Sequence, residues 1–197
     1  MRFIEDEPDL ATLVRQAQHG DEQAFRLVYQ AVQPGLLRYL RGLVGEEAED
    51  VASEAWSQIA RDLSTFSGDE QGFRGWTATI ARHRAMDLLR YQRRRPAIPS
   101  DQEDDRVAAD DTAESAWQSL STQRAVRLIA SLPPDQAEAV LLRVVMGLDV
   151  ATTAEVLGKR PGAVRAASHR GLRRLGELLT REGAFPDGEW TGPGAPR

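Results

Sequence analysis

Residues 149–170 are DVATTAEVLGKRPGAVRAASHR. Asp149 has the side chain of a helix N-cap, Val150 to Leu157 make a short helix, and Gly158 supplies the stop. Lys159, Arg160, Pro161 and Gly162 then turn the chain into a second helix whose first turn tolerates proline. Val164, Leu172, Leu175 and Leu179 recur on one side of that helix, which predicts a buried stripe. The other side carries Arg165, Ala166, His169, Arg170 and Arg173. A short helix, a tight glycine turn and a longer helix are the proportions of a pair that reads duplex DNA. Free backbone N–H groups at the start of the second helix, beside Lys159 and Arg160, suit a phosphate or a base edge. An ordinary helical hairpin with a solvated basic face has the same pattern. From Lys159 to Arg174, however, six residues are basic and none is acidic, and charge of one sign favours a polyanion. Ala166 and Ala167 leave few side chains for hydrogen-bonded base readout, so specificity would lean on His169, Arg170 and DNA shape.

Working outward, helical periodicity dominates and no segment shows sustained period-2 alternation, so the expected fold is all-α. A first helix covers about Leu10 to Gln18 and stops at Gly20. Asp21 caps a second that carries Phe25, Leu27, Val28, Leu36, Leu37 and Leu40, and Pro34 is expected to kink or break it. Ala48, Val51, Ala52, Ala55 and Ile59 share one side of a third helix, with Asp50, Ser53, Glu54 and Ser57 on the other. A loop from Ser64 to Gly72 leads to a fourth helix, about Arg74 to Gln92, in which Phe73 and Trp76 are assigned to the core. Pro96, Pro99 and the acid-rich stretch after them read as a flexible linker over residues 96–115. Two small domains result, 10–95 and 116–180, loosely tethered, with a Gly- and Pro-rich tail over 181–197 expected to be disordered. Leu132-Pro133-Pro134-Asp135 opens a further helix that ends at Gly147.

The 197 residues are 41% hydrophobic and 28% charged, the balance of a globular chain that buries a core. There is no cysteine, which removes disulfides, thiolate nucleophiles and Cys-based zinc sites and fits a reducing cytoplasm. Glu5, Asp6, Glu7 and Asp9 stand where a secretory signal would need basic and apolar residues, and no apolar run is of membrane length. The formal net charge of −5 conceals an uneven distribution. Between Arg74 and Arg95 there are seven arginines and one acid, Asp87. With the segment after Lys159, that makes two separated basic segments, hence two expected contacts with a polyanion.

Taken in order, the motifs resemble the extracytoplasmic-function (ECF) sigma factors of bacterial RNA polymerase. The matching residues begin with Gly20-Asp21, Ala24-Phe25, Ala48-Glu49-Asp50-Val51 with Glu54, and Phe66-Ser67-Gly68. They continue through Phe73-Arg74-Gly75-Trp76, Ile80-Ala81-Arg82-His83, Asp87 with Leu89-Arg90, and Arg93-Arg94-Arg95. Leu132-Pro133-Pro134, Gly162-Ala163-Val164-Arg165 and His169-Arg170 complete the set. The resemblance implies a sigma-2 domain that binds core polymerase and melts the minus-10 element, and a sigma-4 domain for the minus-35 element. It implies that Asp50, Ser53, Glu54 and neighbouring Trp56 dock on the polymerase largest subunit, although Trp56 fits a core position equally well. It implies that the loop holding Phe66 and Gly68 receives an extruded base, as snug pockets do elsewhere. Arg82, His83, Arg84, Arg90, Arg93, Arg94 and Arg95 would supply cationic contacts to the DNA there. Lys159, Arg160, Arg165, Ala166, His169, Arg170 and Arg173 would face the minus-35 element. The acidic linker would thread toward the RNA exit path, and a cognate anti-sigma protein, membrane-bound or not, would cover the binding faces.

Two rival readings remain open to the residues alone. A conventional regulator with an N-terminal helical sensor explains the second basic segment and leaves the first without a role. A metal enzyme built on Glu46, Glu47, Glu49, Asp50 and Glu54 finds no histidine at ligand spacing, since His19, His83 and His169 lie far apart. The expectation is therefore a cytoplasmic, non-enzymatic protein without cofactor or metal, whose partners are core RNA polymerase, promoter DNA and an anti-sigma protein.

Overall fold

The computed structural model describes residues 9–94 and 113–181. Arg95, most of the acidic linker and the tail from residue 182 lie outside the described residues, with the roles expected of them. The described chain is helical: α1 (Leu10–Gln18), α2 (Glu22–Val44), α3 (Ala48–Asp62), α4 (Glu70–Arg94), α5 (Ala113–Ala130), α6 (Pro134–Val140), α7 (Val150–Leu157) and α8 (Pro161–Arg181). Short polar side chains start several of them. Asp9 Oδ1 accepts the Thr12 N–H at 2.7 Å, and Asp21 Oδ1 accepts those of Gln23 and Ala24 at 2.9 and 3.0 Å. Each satisfies amide groups that a helix start leaves without a partner.

Three boundaries differ from the sequence expectation. α2 neither stops nor breaks at Pro34. The proline faces solvent while Val32 and Leu36 on either side of it are buried, so packing of a long apolar stripe outweighs one missing backbone bond. α4 starts at Glu70, four residues earlier than expected, because Asp69 caps it: Oδ1 takes the Gly72 N–H at 2.8 Å and the carbonyl takes that of Phe73 at 2.9 Å. α5 already begins at Ala113, inside the stretch read as linker; alanine is the strongest helix former and extends the helix backward.

Beyond α6 the helix loosens into one turn of π-helix, Leu141–Val145, closed by Met146 N–H donating to Leu141 O at 3.0 Å. In a regular α-helix residues 141 and 146 would point about 140° apart. The i to i−5 bond stacks them instead, and both meet α2: the Leu141 methyls lie over Gly42 and the Met146 sulfur over Gly35.

The two halves of the chain, expected to be loosely tethered, pack against each other. α2 meets α5, α6 and the π-turn, and α4 meets α7. Buried residues from Leu10 to Ala85 and from Ile129 to Ala167 form one contiguous cluster. Leu141, Leu142 and Leu148 are fully buried within it, each worth about 1.5–3 kcal/mol relative to exposure.

Candidate nucleic-acid interface

The helix pair over residues 149–181 folds as its residues dictate. Asp149 Oδ1 accepts the Thr152 N–H at 2.7 Å, and that bond with the neighbouring backbone amide holds its carboxyl below the usual carboxylate value. α7 ends at Gly158 in the left-handed conformation, φ 61°, which a side chain would strain. α8 starts at Pro161, and Val164, Ala167, Ser168, Gly171 and Gly176 are buried. Arg160, Arg165, His169, Arg170 and Arg173 all stand exposed, and Ala166 is half-buried between them. Lys159 is partly engaged: its Nζ donates to Asp135 Oδ1 at 2.7 Å, tying the turn to the start of α6. The Lys159 ammonium holds the Asp135 carboxyl below its ordinary value, with a smaller pull from Arg170. Arg173 also reaches Glu177 at 3.4 Å, an exposed pair that water screens strongly. The outer face of α8 is therefore a cationic strip with one imidazole.

In the N-terminal half, the loop before α4 is built around Phe66. Its ring meets Phe73 edge-to-face at 5.2 Å and lies tilted against Trp76 at 5.3 Å, so the two aromatics assigned to the core form its floor. A side chain at Gly68 would meet the Phe66 ring at 3.0 Å, and its φ of 155° already disfavours one. Gln18 reaches in from the end of α1 and donates to both Leu63 O, at 2.9 Å, and Phe66 O, at 2.7 Å. Nothing in the sequence near Gln18 marks this role, since its acceptors lie 45 and 48 residues away.

The arginines of α4 divide by surroundings. His83 is exposed midway along α4, and Arg90, Arg93 and Arg94 are exposed near its C-terminal end, Arg90 in a surface pair with Asp87 at 3.0 Å. Arg84 donates to Gln58 Oε1 at 2.8 Å and lies half-buried against α3. Arg82 is taken by the other half of the chain: its Nε donates to Glu138 Oε1 at 2.6 Å and its Nη2 to Glu138 Oε2 at 3.3 Å. The same carboxylate accepts the Tyr39 hydroxyl at 3.2 Å. Burial drives the Tyr39 hydroxyl well above its ordinary pKa, with the Glu138 charge adding to it, so the phenol stays protonated and donates.

On α3, Asp50, Ser53 and Glu54 are exposed as expected, a polar face opposite buried Val51, Ala52, Ala55 and Ile59. Trp56 does not share that face. It is 7% exposed, its indole N–H donates to Gln33 Oε1 at 2.6 Å, and its ring packs on Phe25 and Tyr29. Position 56 follows buried Ala52 by one helical turn, which turns the ring toward α2. Glu49, one of the carboxylates considered for a metal, pairs with Arg41 at 3.0 Å.

Family comparison assigns both basic segments to one class. The family described as Sigma-70 region 2 matches residues 28–95, and Sigma-70, region 4 matches residues 122–175. These are the two helical parts of a sigma-70-type transcription initiation factor. The ECF RNA polymerase sigma factor ShbA of Streptomyces griseus is 36% identical over 182 residues, covering 86% of this chain and 94% of the relative. SigD of Mycobacterium tuberculosis is 33% identical over 183 residues, with 89% and 86% covered. The chain belongs to the ECF RNA polymerase sigma factors, and its role is in transcription initiation. Among solved structures, CnrH in complex with the cytosolic domain of CnrY superposes with a TM-score of 0.62 at 21% identity, over 88% of this chain and 99% of that one. That similarity is one of fold. The match of the first basic segment to region 2 sets aside the conventional regulator, which had no use for it. Among the described residues, no helix is long and apolar enough to cross a membrane.

Proposed function

We propose that α1–α4 form the unit that holds core polymerase and the minus-10 element, and that α5–α8 form the unit that reads the minus-35 element. The observation that carries this is the outer face of α8, where Arg160, Arg165, His169, Arg170 and Arg173 are exposed while the opposite face is buried. A preformed cationic helix at a glycine turn suits the major groove, its arginines taking phosphates or guanine edges. In the N-terminal half, the Phe66 ring on its aromatic floor offers a stacking surface for an unpaired base, and the exposed arginines at the end of α4 a track for its backbone. Asp50, Ser53 and Glu54 provide the acidic face for the polymerase, with Trp56 supporting α3 from behind.

On this reading the protein performs no covalent chemistry and needs no cofactor or metal. RNA synthesis belongs to the polymerase, and the protein works beside it in the cytoplasm. An anti-sigma partner is part of the proposal: CnrH is seen with CnrY, and RpoE with the anti-sigma factor NepR from Bartonella quintana. The deciding experiment is run-off transcription by reconstituted holoenzyme carrying Arg165→Ala and Arg170→Ala. Loss of two base-edge or phosphate contacts is expected to lower initiation about tenfold or more, with binding to core polymerase unchanged. Undiminished transcription would remove α8 from promoter recognition.

A further inference from the structure

The chain between α3 and α4 makes the short turn Leu63–Thr65 and then runs through residues 66–69, which belong to no helix. Ser64, Thr65, Ser67, Gly68 and Asp69 are exposed there, while the Phe66 ring is half-buried on Phe73 and Trp76. Holding such a segment in one shape costs backbone entropy at every residue, so the bonds that fix it decide how far it is preformed.

Most of the fixing is local. Asp69 Oδ1 accepts the Gly72 N–H at 2.8 Å at the far end. At the near end Thr65 Oγ1 donates to Asp62 O at 2.7 Å, and the Phe66 N–H donates to Leu63 O at 3.1 Å. None of these bonds engages the Phe66 carbonyl. Gln18 does: its amide nitrogen donates to Phe66 O at 2.7 Å and to Leu63 O at 2.9 Å. Both N–H donors of the carboxamide are used, so one group clamps the carbonyls on either side of the turn. The clamp is anchored, because Leu10, Leu13, Val14 and Ala17 bury one face of α1 and Gly20, at φ 91°, ends the chain's helical run just beyond Gln18. α1 carries none of the residues assigned to polymerase or DNA, and this pair of bonds gives it a part in the site.

We propose that Gln18 is a positioning residue for strand opening, one that sets the loop in advance so that Phe66 meets the base leaving the duplex. This rests on the reading of Phe66 as a stacking surface for that base. Gln18 acts through the Phe66 backbone and touches no nucleic acid. Without the clamp the two carbonyls turn to water and the ring takes several arrangements, so part of the binding free energy of the base goes into ordering the loop. The role is specific to a donor at this reach. Gln18→Glu keeps length and shape but sets an acceptor-only charge against two carbonyls. Gln18→Asn keeps both donors and withdraws them by one methylene. Gln18→Lys restores a donating head at slightly greater reach.

The test uses holoenzyme reconstituted with the full chain. It is titrated with a fluorescent single-stranded oligonucleotide that carries the non-template minus-10 segment of a promoter the parent transcribes, and with a second strand made abasic at the position whose loss weakens the parent most. Gln18→Glu is expected to bind the intact strand about tenfold more weakly, the effect of losing two hydrogen bonds. It should bind the abasic strand as the parent does and keep the parent's affinity for core polymerase, and Gln18→Lys should recover most of the loss. Full affinity of Gln18→Glu for the intact strand overturns the positioning role. So does an equal deficit on the intact and abasic strands, which is what a general weakening of the fold produces. Should circular dichroism show that Gln18→Glu has lost helicity, Gln18→Asn decides by the same pair of strands. Failure of the stacking reading is distinguishable, because Phe66→Ala would then bind every strand as tightly as the parent and no abasic position would matter.

Discussion

At the scale of single residues, the candidate sites depend on small groups that fix local geometry. Asp149 shows the pattern. Its carboxylate caps α7, and the amide bonds that it accepts depress its pKa from 3.8. A carboxyl with a depressed folded-state value contributes stability that is complete above its unfolded value and is lost as pH falls through the folded one. Asp149→Ala should therefore lower the thermal midpoint at neutral pH, and its deficit relative to the parent should shrink as the pH is brought below 3.8. Thermal melts by circular dichroism across that range check this, and a deficit independent of pH would assign the loss to something other than the cap. The caps at Asp21 and Asp149 were legible in advance, because each acts on amides two or three residues away. Trp56 was not, since its half of the choice between docking face and core rested on Gln33, Phe25 and Tyr29 across the helix pair.

Among the helices, periodicity carried most of the information and the breakers carried less. The apolar stripe of α3 matches its buried residues, because a 3.6-residue repeat registers directly in the order of side chains, whereas on α8 Val164 is buried and Leu172, Leu175 and Leu179 are only half-buried. Pro34 does not break α2 because its penalty is local whereas the burial of α2 is spread along the whole helix. Pro34→Ala should therefore stabilise the chain by about 1–3 kcal/mol, read as a higher unfolding midpoint; an unchanged or lower midpoint would mean that the proline conformation is needed. The π-turn had no signature at all in Leu141–Val145, since a run of five apolar and basic residues fits a regular helix equally well. On α3, reversing the charge of the exposed acids, Asp50→Lys with Glu54→Lys, should weaken binding to core polymerase about tenfold or more while helicity is kept. Unaltered affinity in a binding titration would move the docking face away from this helix.

For the molecule as a whole, the sequence revealed two helical halves, each with a basic segment, that read as loosely tethered. The groups that join them, Tyr39 with Glu138, Arg82 with Glu138 and Gln71 with Asp149, lie 99, 56 and 78 residues apart. No repeat or spacing encodes such pairs; they exist only once both halves have folded. Gly42 and Gly75 are the partial exception, since glycine inside a helix signals close approach without saying of what. The result is a chain whose acidic net charge of −5 coexists with two cationic surfaces, one displayed on α8 and one partly held inside the contact between halves. The chain acts through RNA polymerase, and the most direct test is to pass the purified protein with core polymerase over a sizing column and assay run-off transcription from promoter DNA of its own genome. Co-elution with a specific transcript that core polymerase alone does not make is the predicted result. Failure to co-elute, with duplex DNA still bound by the protein alone, would contradict it.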